Sequence, residues 1–241
     1  MAETCKILSP QKKVILSSPC AGCPMAEQIS AEELAKLKKH YPNHTVVAYI
    51  NTTAALKELC DVCVTSSSAL EICRKIENKD ILFIPDCNLG SFVKEKLPEK
   101  NIQLINGGCP VHAAVTEEAV INAKNAHPNA LFLVHPECKP EVCKHADYIG
   151  STSGIVDFAI KSNEREFIIG TEISIAEHLQ YVCPDKKFYP LSKSLICPDM
   201  KSTTLVDVYN CLTGNGGLEI IMSEEQIAKA SVCIDKMLEL G

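Results

Sequence analysis

The sequence predicts an α/β protein of repeated three-layer α/β/α units with short parallel sheets around a pseudo-threefold axis, the first unit incomplete. Three observations predict it. Short apolar runs of strand length alternate with segments of helical periodicity, and helical crossovers lay successive strands parallel. The landmarks of residues 24–109 recur, 86 residues later, along residues 110–197. A Cys-Pro step, at Cys23, Cys109 and Cys197, closes each repeat at the same point.

Each element has a local reason. Ser30 and Glu33 form a capping box for a helix reaching His40, and Pro42-Asn43 turns the chain into an apolar strand over Thr45–Ile50. A helix is predicted around Ala54–Cys60, a strand over Asp61–Val64, and a helix opened by Thr65-Ser66-Ser67-Ser68 that runs to Ile76. Asp80–Ile84 reads as a buried strand, Asn88–Lys96 as a helix, and Ile102–Ile105 as a strand leading into Gly107-Gly108-Cys109. In the second copy, Pro128-Asn129, Asp147, Ser151-Thr152-Ser153 and Glu172 take the places of Pro42-Asn43, Asp61, Thr65-Ser66-Ser67 and Asp86.

The ends match only parts of a unit. Residues 1–23 resemble its last quarter, and residues after Cys197 its beginning. There Thr204–Leu212 reads as a helix, Leu218–Met222 as a strand, and Ser223–Leu240 as an amphipathic helix with a Ser223/Gln226 capping box. The domain organisation expected is therefore 1–23 plus 198–241 as an incomplete first domain, then 24–109, then 110–197.

Composition narrows the function class. A net charge of −6, with no basic run and no Trp, argues against a nucleic-acid partner. No apolar stretch reaches membrane-spanning length, and no export signal begins the chain, so a cytoplasmic protein is expected. In that compartment thiols stay reduced, which makes the 14 cysteines candidates for buried packing or metal binding.

The repeated Cys-Pro step is the strongest chemical signal. Proline suits the first helical position, which would set each cysteine at a helix N-terminus, where a thiolate is favoured. Three soft ligands suit an iron–sulfur cluster or zinc. The plain alternative is that Cys-Pro only marks helix starts, and Cys183-Pro184 lies outside the series. Cys20 and Cys23 also form a C-x-x-C pair, readable as a redox pair or half a zinc site.

Polar groups gather where strands should end. Tyr49 and Asn51 close the first strand of one repeat, and His135 and Glu137 occupy the matching place in the next. Ligands bind at the carboxyl ends of strands in open α/β sheets. The hydroxyl clusters containing Ser66 and Ser151-Thr152 precede helices, where they serve as caps or bind carboxylate or phosphate. His112 follows Cys109 by one helical turn.

Several stretches resemble the quinolinate synthase family: MAETCKILSP, YINTTAALKELCDVCVTSSSA, FIPDCNLG, GGCPVH, HPECKPEVCKHADYIGSTSGI and KKFYPLSKSLICPDM. The resemblance implies three α/β domains and a [4Fe–4S] cluster held by Cys23, Cys109 and Cys197, with one iron not ligated by protein. It implies condensation of iminoaspartate with dihydroxyacetone phosphate to quinolinate for NAD biosynthesis, with an aspartate-oxidising enzyme as the possible source of iminoaspartate. Tyr49, Asn51, Ser66, His112, His135, Glu137, Ser151 and Thr152 fall on substrate-binding positions, with Glu137, Tyr49 and His135 as the catalytic ones. The family pattern also implies a further stretch ahead of Met1, carrying a histidine, a tyrosine and a serine that contact substrate. Two other readings stand beside the enzyme: a non-catalytic iron–sulfur-binding fragment or part of a split enzyme, and an oxidoreductase using Cys20 and Cys23.

Overall fold

The computed structural model describes residues 1–241, which divide into two units. One comprises Met1–Pro85, Leu97–Gly107 and Pro198–Gly241; the other comprises Asp86–Lys96 and Gly108–Cys197.

The first unit starts with α1 (Ala2–Leu8), β1 (Ile15–Leu16) and α2 (Ala31–His40). It continues through β2 (Thr45–Tyr49), α3 (Ala54–Lys57), β3 (Val62–Val64), α4 (Ala69–Lys75) and β4 (Asp80–Ile84). Helix α5 (Cys87–Lys96) belongs to the second unit, and β5 (Asn101–Leu104) completes the first sheet. Its strand order is β3-β2-β4-β5, all parallel. Val46, Val47 and Ala48 are buried in succession, because a parallel sheet is covered on both faces.

The second unit adds α6 (Pro110–Ala113), α7 (Glu117–Ala126), β6 (Leu131–Val134), α8 (Pro140–Cys143) and β7 (Tyr148–Ile149). Then come α9 (Thr152–Lys161), β8 (Glu166–Gly170), α10 (Ser174–Val182) and β9 (Lys187–Pro190). Its sheet order, β7-β6-β8-β9, is again all parallel. Phe132, Phe167 and Ile168 are fully buried, each contributing roughly 1.5–3 kcal/mol through burial.

The duplication extends to individual hydrogen bonds at the same offset. Asp61 Oδ2 accepts from the Val46 N–H at 2.7 Å, and Asp147 Oδ2 accepts from the Phe132 N–H at 2.7 Å. Lys38 Nζ donates to the Leu59 carbonyl, and Lys124 Nζ to the His145 carbonyl, both at 2.7 Å. Lys100 holds the Ile76 and Asn78 carbonyls behind α4, as Lys186 holds those of Ala159, Ile160 and Ser162 behind α9. These ties fix strand to strand and helix end to strand twice over.

The rest of the first unit is α11 (Pro198–Lys201), α12 (Leu205–Leu212), β10 (Leu218–Glu219) and α13 (Glu224–Leu240). Helix α13 carries the expected Ser223/Gln226 capping box and buries Ala230, Cys233 and Ile234 against the core of β2, β3 and β4. Two expectations change here. The strand foreseen over Leu218–Met222 is only two residues long and pairs antiparallel with β1. Cys23-Pro24 opens a turn closed by the Glu27 N–H on the Cys23 carbonyl at 3.2 Å, not a helix. Without continuing i→i−4 bonds, no dipole accumulates beside Cys23.

Candidate active site

In the second unit, polar side chains converge beyond the strand ends. Strand β6 ends at Val134 and is followed by His135 and Glu137; β8 ends at Gly170 and is followed by Thr171 and Glu172. Helix α6 begins at Pro110 with Cys109 as its N-cap, which places His112 one turn further on. His112, His135, Glu137, Thr171 and Glu172 are all buried.

Glu137 Oε2 lies 3.0 Å from His112 Nδ1 and 3.9 Å from His135 Nδ1. The two imidazoles stack with ring centroids 5.0 Å apart. His112 Nε2 is 3.0 Å from Thr171 Oγ1. The Glu137 N–H donates to His135 Nδ1 at 3.3 Å, so neutral His135 carries its proton on Nε2. Asn88 Nδ2 donates to the Glu137 carbonyl at 2.9 Å and fixes that stretch of backbone.

This arrangement drives the two histidines apart. Burial works against a charge on His112, but the Cys109 sulfur and the Glu137 carboxylate outweigh it and raise its pKa to about 10. Burial lowers His135 to about 4, against the pull of Glu137 and with the help of charged His112. At neutral pH the site therefore holds one charged and one neutral imidazole around a carboxylate.

Buried carboxylates position two of the Cys-Pro steps. Asp86 Oδ2 accepts from the Cys109 N–H at 2.9 Å, and Glu172 Oε1 accepts from the Cys197 N–H at 3.5 Å. The second oxygens are also occupied, by the Leu89 N–H at 2.8 Å and the Ser174 N–H at 2.9 Å. Burial, and then Glu137, raise Asp86 to about 6. A Cβ on Gly108 would lie 3.2 Å from Asp86 Oδ2, so glycine permits this close approach. Sequence reasoning saw Asp86 and Glu172 only as matching landmarks and missed them as anchors of the cysteine backbones, along with Thr171 and Asn88. Their matched places in the two repeats, each just after a buried strand upstream of a Cys-Pro step, were the available signal.

In the first unit, Asn51 Nδ2 donates to Cys23 Sγ at 3.2 Å, joining two residues singled out separately by sequence. The turn carrying Asn51 is held from beneath. Lys57, fully buried, donates to the Ile50 carbonyl at 2.8 Å, the Thr52 carbonyl at 2.6 Å and Thr52 Oγ1 at 3.3 Å. Tyr49 ends β2 and packs half-buried against the same core. Ser66 is half-buried in the loop before α4, where Thr65 Oγ1 contacts Ser67 and Ser68.

In the second hydroxyl cluster Ser151 caps α9. Ser151 Oγ accepts from the Gly154 N–H at 3.2 Å and is 3.1 Å from Ser153 Oγ, while Thr152 is exposed. Among the cysteines, Cys138 and Cys183 are buried, and Cys143 donates toward the Cys138 carbonyl at 3.4 Å. Burial raises Cys143 to about 12, in keeping with an inert packing thiol. Cys23, Cys109 and Cys197 are all half-buried and outside any disulfide. The ligand atoms of Cys109, His112 and Glu137 lie within 4.8 Å of one another, a donor set with metal-binding chemistry inside one unit.

Comparison with known proteins gives the family. The family model described as "Quinolinate synthetase A protein" matches residues 1–239. The chain is 50% identical over its whole length to the quinolinate synthase of Caldicellulosiruptor bescii, covering 79% of that protein. It is 51% identical to the quinolinate synthase of Caldicellulosiruptor saccharolyticus, again over the whole chain and 79% of the relative. It is 47% identical to quinolinate synthase 2 of Methanosarcina acetivorans, covering 77% of it. With the family pattern running nearly end to end and half the residues shared with such relatives, this chain belongs to the quinolinate synthase family.

Proposed function

We propose that the chain condenses iminoaspartate with dihydroxyacetone phosphate to give quinolinate, phosphate and water, a step of de novo NAD biosynthesis. The observation that carries this reading is Glu137, a buried carboxylate 3.0 Å from His112 within the Cys109/His112/Glu137 donor set. Cys23, Cys109 and Cys197 would hold a [4Fe–4S] cluster, and three half-buried reduced thiols fit that group. When bound, the cluster supplies a Lewis acid at the iron left without a protein ligand, polarising oxygens of the substrate.

The chain's own residues have separable tasks. His112, charged at neutral pH, lies 3.0 Å from Glu137, the group that takes and returns protons. His135, fixed by the Glu137 N–H, presents an Nε2–H donor to a developing oxyanion. Asn51 donates to Cys23 and orients it. Tyr49, Ser66, Ser151 and Thr152 contact the polar ends of the substrates, hydroxyls being suited to phosphate and carboxylate. Asp86 and Glu172 hold the Cys109 and Cys197 backbones. Burial around Glu137 excludes water from the proton transfers.

The 86-residue offset supports three domains, 1–23 with 198–241, then 24–109 and 110–197. No helix is long and apolar enough to cross a membrane, and the reading places the enzyme in the cytoplasm beside an aspartate-oxidising source of iminoaspartate. A second reading, an iron–sulfur-binding fragment or part of a split enzyme, is favoured by the exposed apolar residues of α12, among them Leu205 and Leu212.

The test is anaerobic reconstitution with iron and sulfide, followed by a quinolinate assay with both substrates. Quinolinate formation by the chain alone is expected. A full cluster without turnover selects the second reading, and absence of bound iron overturns both.

A further inference from the structure

Outside the site, the first unit buries a second sulfur cluster. Cys63, in the middle of β3, and Cys233, on α13, are both fully buried. The Cys63 S–H donates to Cys233 Sγ at 3.3 Å, although the residues are 170 apart in sequence. Cys60 stands nearby, but its S–H is spent on the Leu56 carbonyl at 3.1 Å. The pair is peculiar to this unit: the residue matching Cys63 in the second repeat is Ile149.

Lys57 gives the pair its chemistry. Its ammonium is bound only to the oxygens of Ile50 and Thr52, so no carboxylate is hydrogen-bonded to it. Burial pushes its pKa down, and the neighbouring Cys63 and Cys233 sulfurs pull it back up. The relation is reciprocal. The S–H bond from Cys63 lowers Cys233, against burial, and the Lys57 cation adds to the lowering, while the shared bond and burial push Cys63 up. Cys233 is the sulfur that receives the Cys63 S–H, while its own S–H faces the Lys57 and Ala230 carbonyls, both at 3.5 Å.

We propose that Cys63 and Cys233 are an oxidisable dithiol whose disulfide ties helix α13 to strand β3. A hydroperoxide is the oxidant class that fits a buried site, since hydrogen peroxide is little larger than water. The Cys233 thiolate attacks one peroxide oxygen and the O–O bond breaks. The departing hydroxide takes a proton and leaves as water, with a sulfenic acid on Cys233. The Cys63 sulfur then attacks that sulfur, the S–S bond forms, and the S–OH group leaves as a second water with the Cys63 proton. Two thiols lose two electrons and two protons, and the peroxide is reduced to water. The sulfurs must close from 3.3 Å to about 2.05 Å, a side-chain movement within one contact. Access requires transient lifting of α13 from β3, a sub-global opening of the ordinary kind.

The inference does not depend on the cluster reading. The full-length chain, reduced and then treated with hydrogen peroxide, is alkylated, denatured, digested and mapped by mass spectrometry. The expected product is a Cys63–Cys233 cross-linked peptide pair, two hydrogens lighter than the separate peptides and cleaved by reductant. Oxidation should raise Tm by roughly 5–10 °C, because the bond closes a long loop. Cys60→Ala should behave like the parent, and Cys233→Ala should lose the rise. Recovery of Cys63 and Cys233 as alkylated thiols, or cross-linking of Cys233 to Cys60 instead, would overturn the proposal. Should Cys233→Ala not fold, the parent peptide map decides alone.

Discussion

On the proposed reading Glu137 and its two imidazoles carry most of the chemistry, and Glu137 and His135 each make a measurable claim. Glu137→Gln keeps the side chain's shape and removes the base. We expect kcat to fall about 100-fold or more, in the range for general acid–base groups, with iron content unchanged. Loss of iron in parallel with activity would make Glu137 a structural residue instead. His135 reports through acid stability. Burial holds it at about 4 in the folded chain, while the unfolded chain takes up the proton near 6.5. A depressed imidazole therefore leaves stability intact above 6.5 and drains it as pH falls from 6.5 toward 4. His135→Asn retains an acceptor for the Glu137 N–H and removes this component. Between pH 7 and 4.5 the parent chain should lose about 2–3 kcal/mol more than the variant in urea unfolding. Equal losses would place His135 outside that account. The residue types of this site were legible in the sequence because matched strand ends carried them. The division of protonation was not, because it arises from burial and from a 3.0 Å approach that spacing does not encode.

At the scale of elements, the internal repeat was readable to the level of strand boundaries: Asp80–Ile84 matches Glu166–Gly170 residue for residue. Apolar runs, capping boxes and Pro-Asn turns are local signals, and local signals survive in a sequence. What failed was the helix after Cys23, where proline was read as a helix opener and the chain makes a single turn. Propensity at one position cannot supply the following hydrogen bonds. The repeat makes a quantitative prediction. Asp61 and Asp147 perform the same task, each accepting a β-strand N–H at 2.7 Å from a half-exposed position. Asp61→Ala and Asp147→Ala should each destabilise by about 1–2 kcal/mol, in agreement within roughly 0.5 kcal/mol. Denaturant midpoints check this, and a large effect at one site alone would mean the copies are not mechanically equivalent.

For the whole molecule, the informative surface is apolar. Leu205 and Leu212 on α12 are 84% and 83% exposed, and Ile221 beyond β10 is 84% exposed. A face of this kind favours association. Sedimentation at rising concentration should show self-association of the parent chain, relieved in Leu205→Glu/Leu212→Glu; a parent that stays monomeric at all concentrations would contradict this. The sequence indicated the helix that carries this face, over Thr204–Leu212. It could not show which side chains stay exposed, since helix α13 buries its own apolar stripe in the first unit's core. The central claim, that the three Cys-Pro thiols are the ligands of one cluster, is tested most directly by iron and acid-labile sulfide content after anaerobic purification. We predict about four irons per chain for the parent and for Cys183→Ala, and near-complete loss in Cys23→Ala, Cys109→Ala and Cys197→Ala. Full iron in any of the last three, or equal loss in Cys183→Ala, would contradict it.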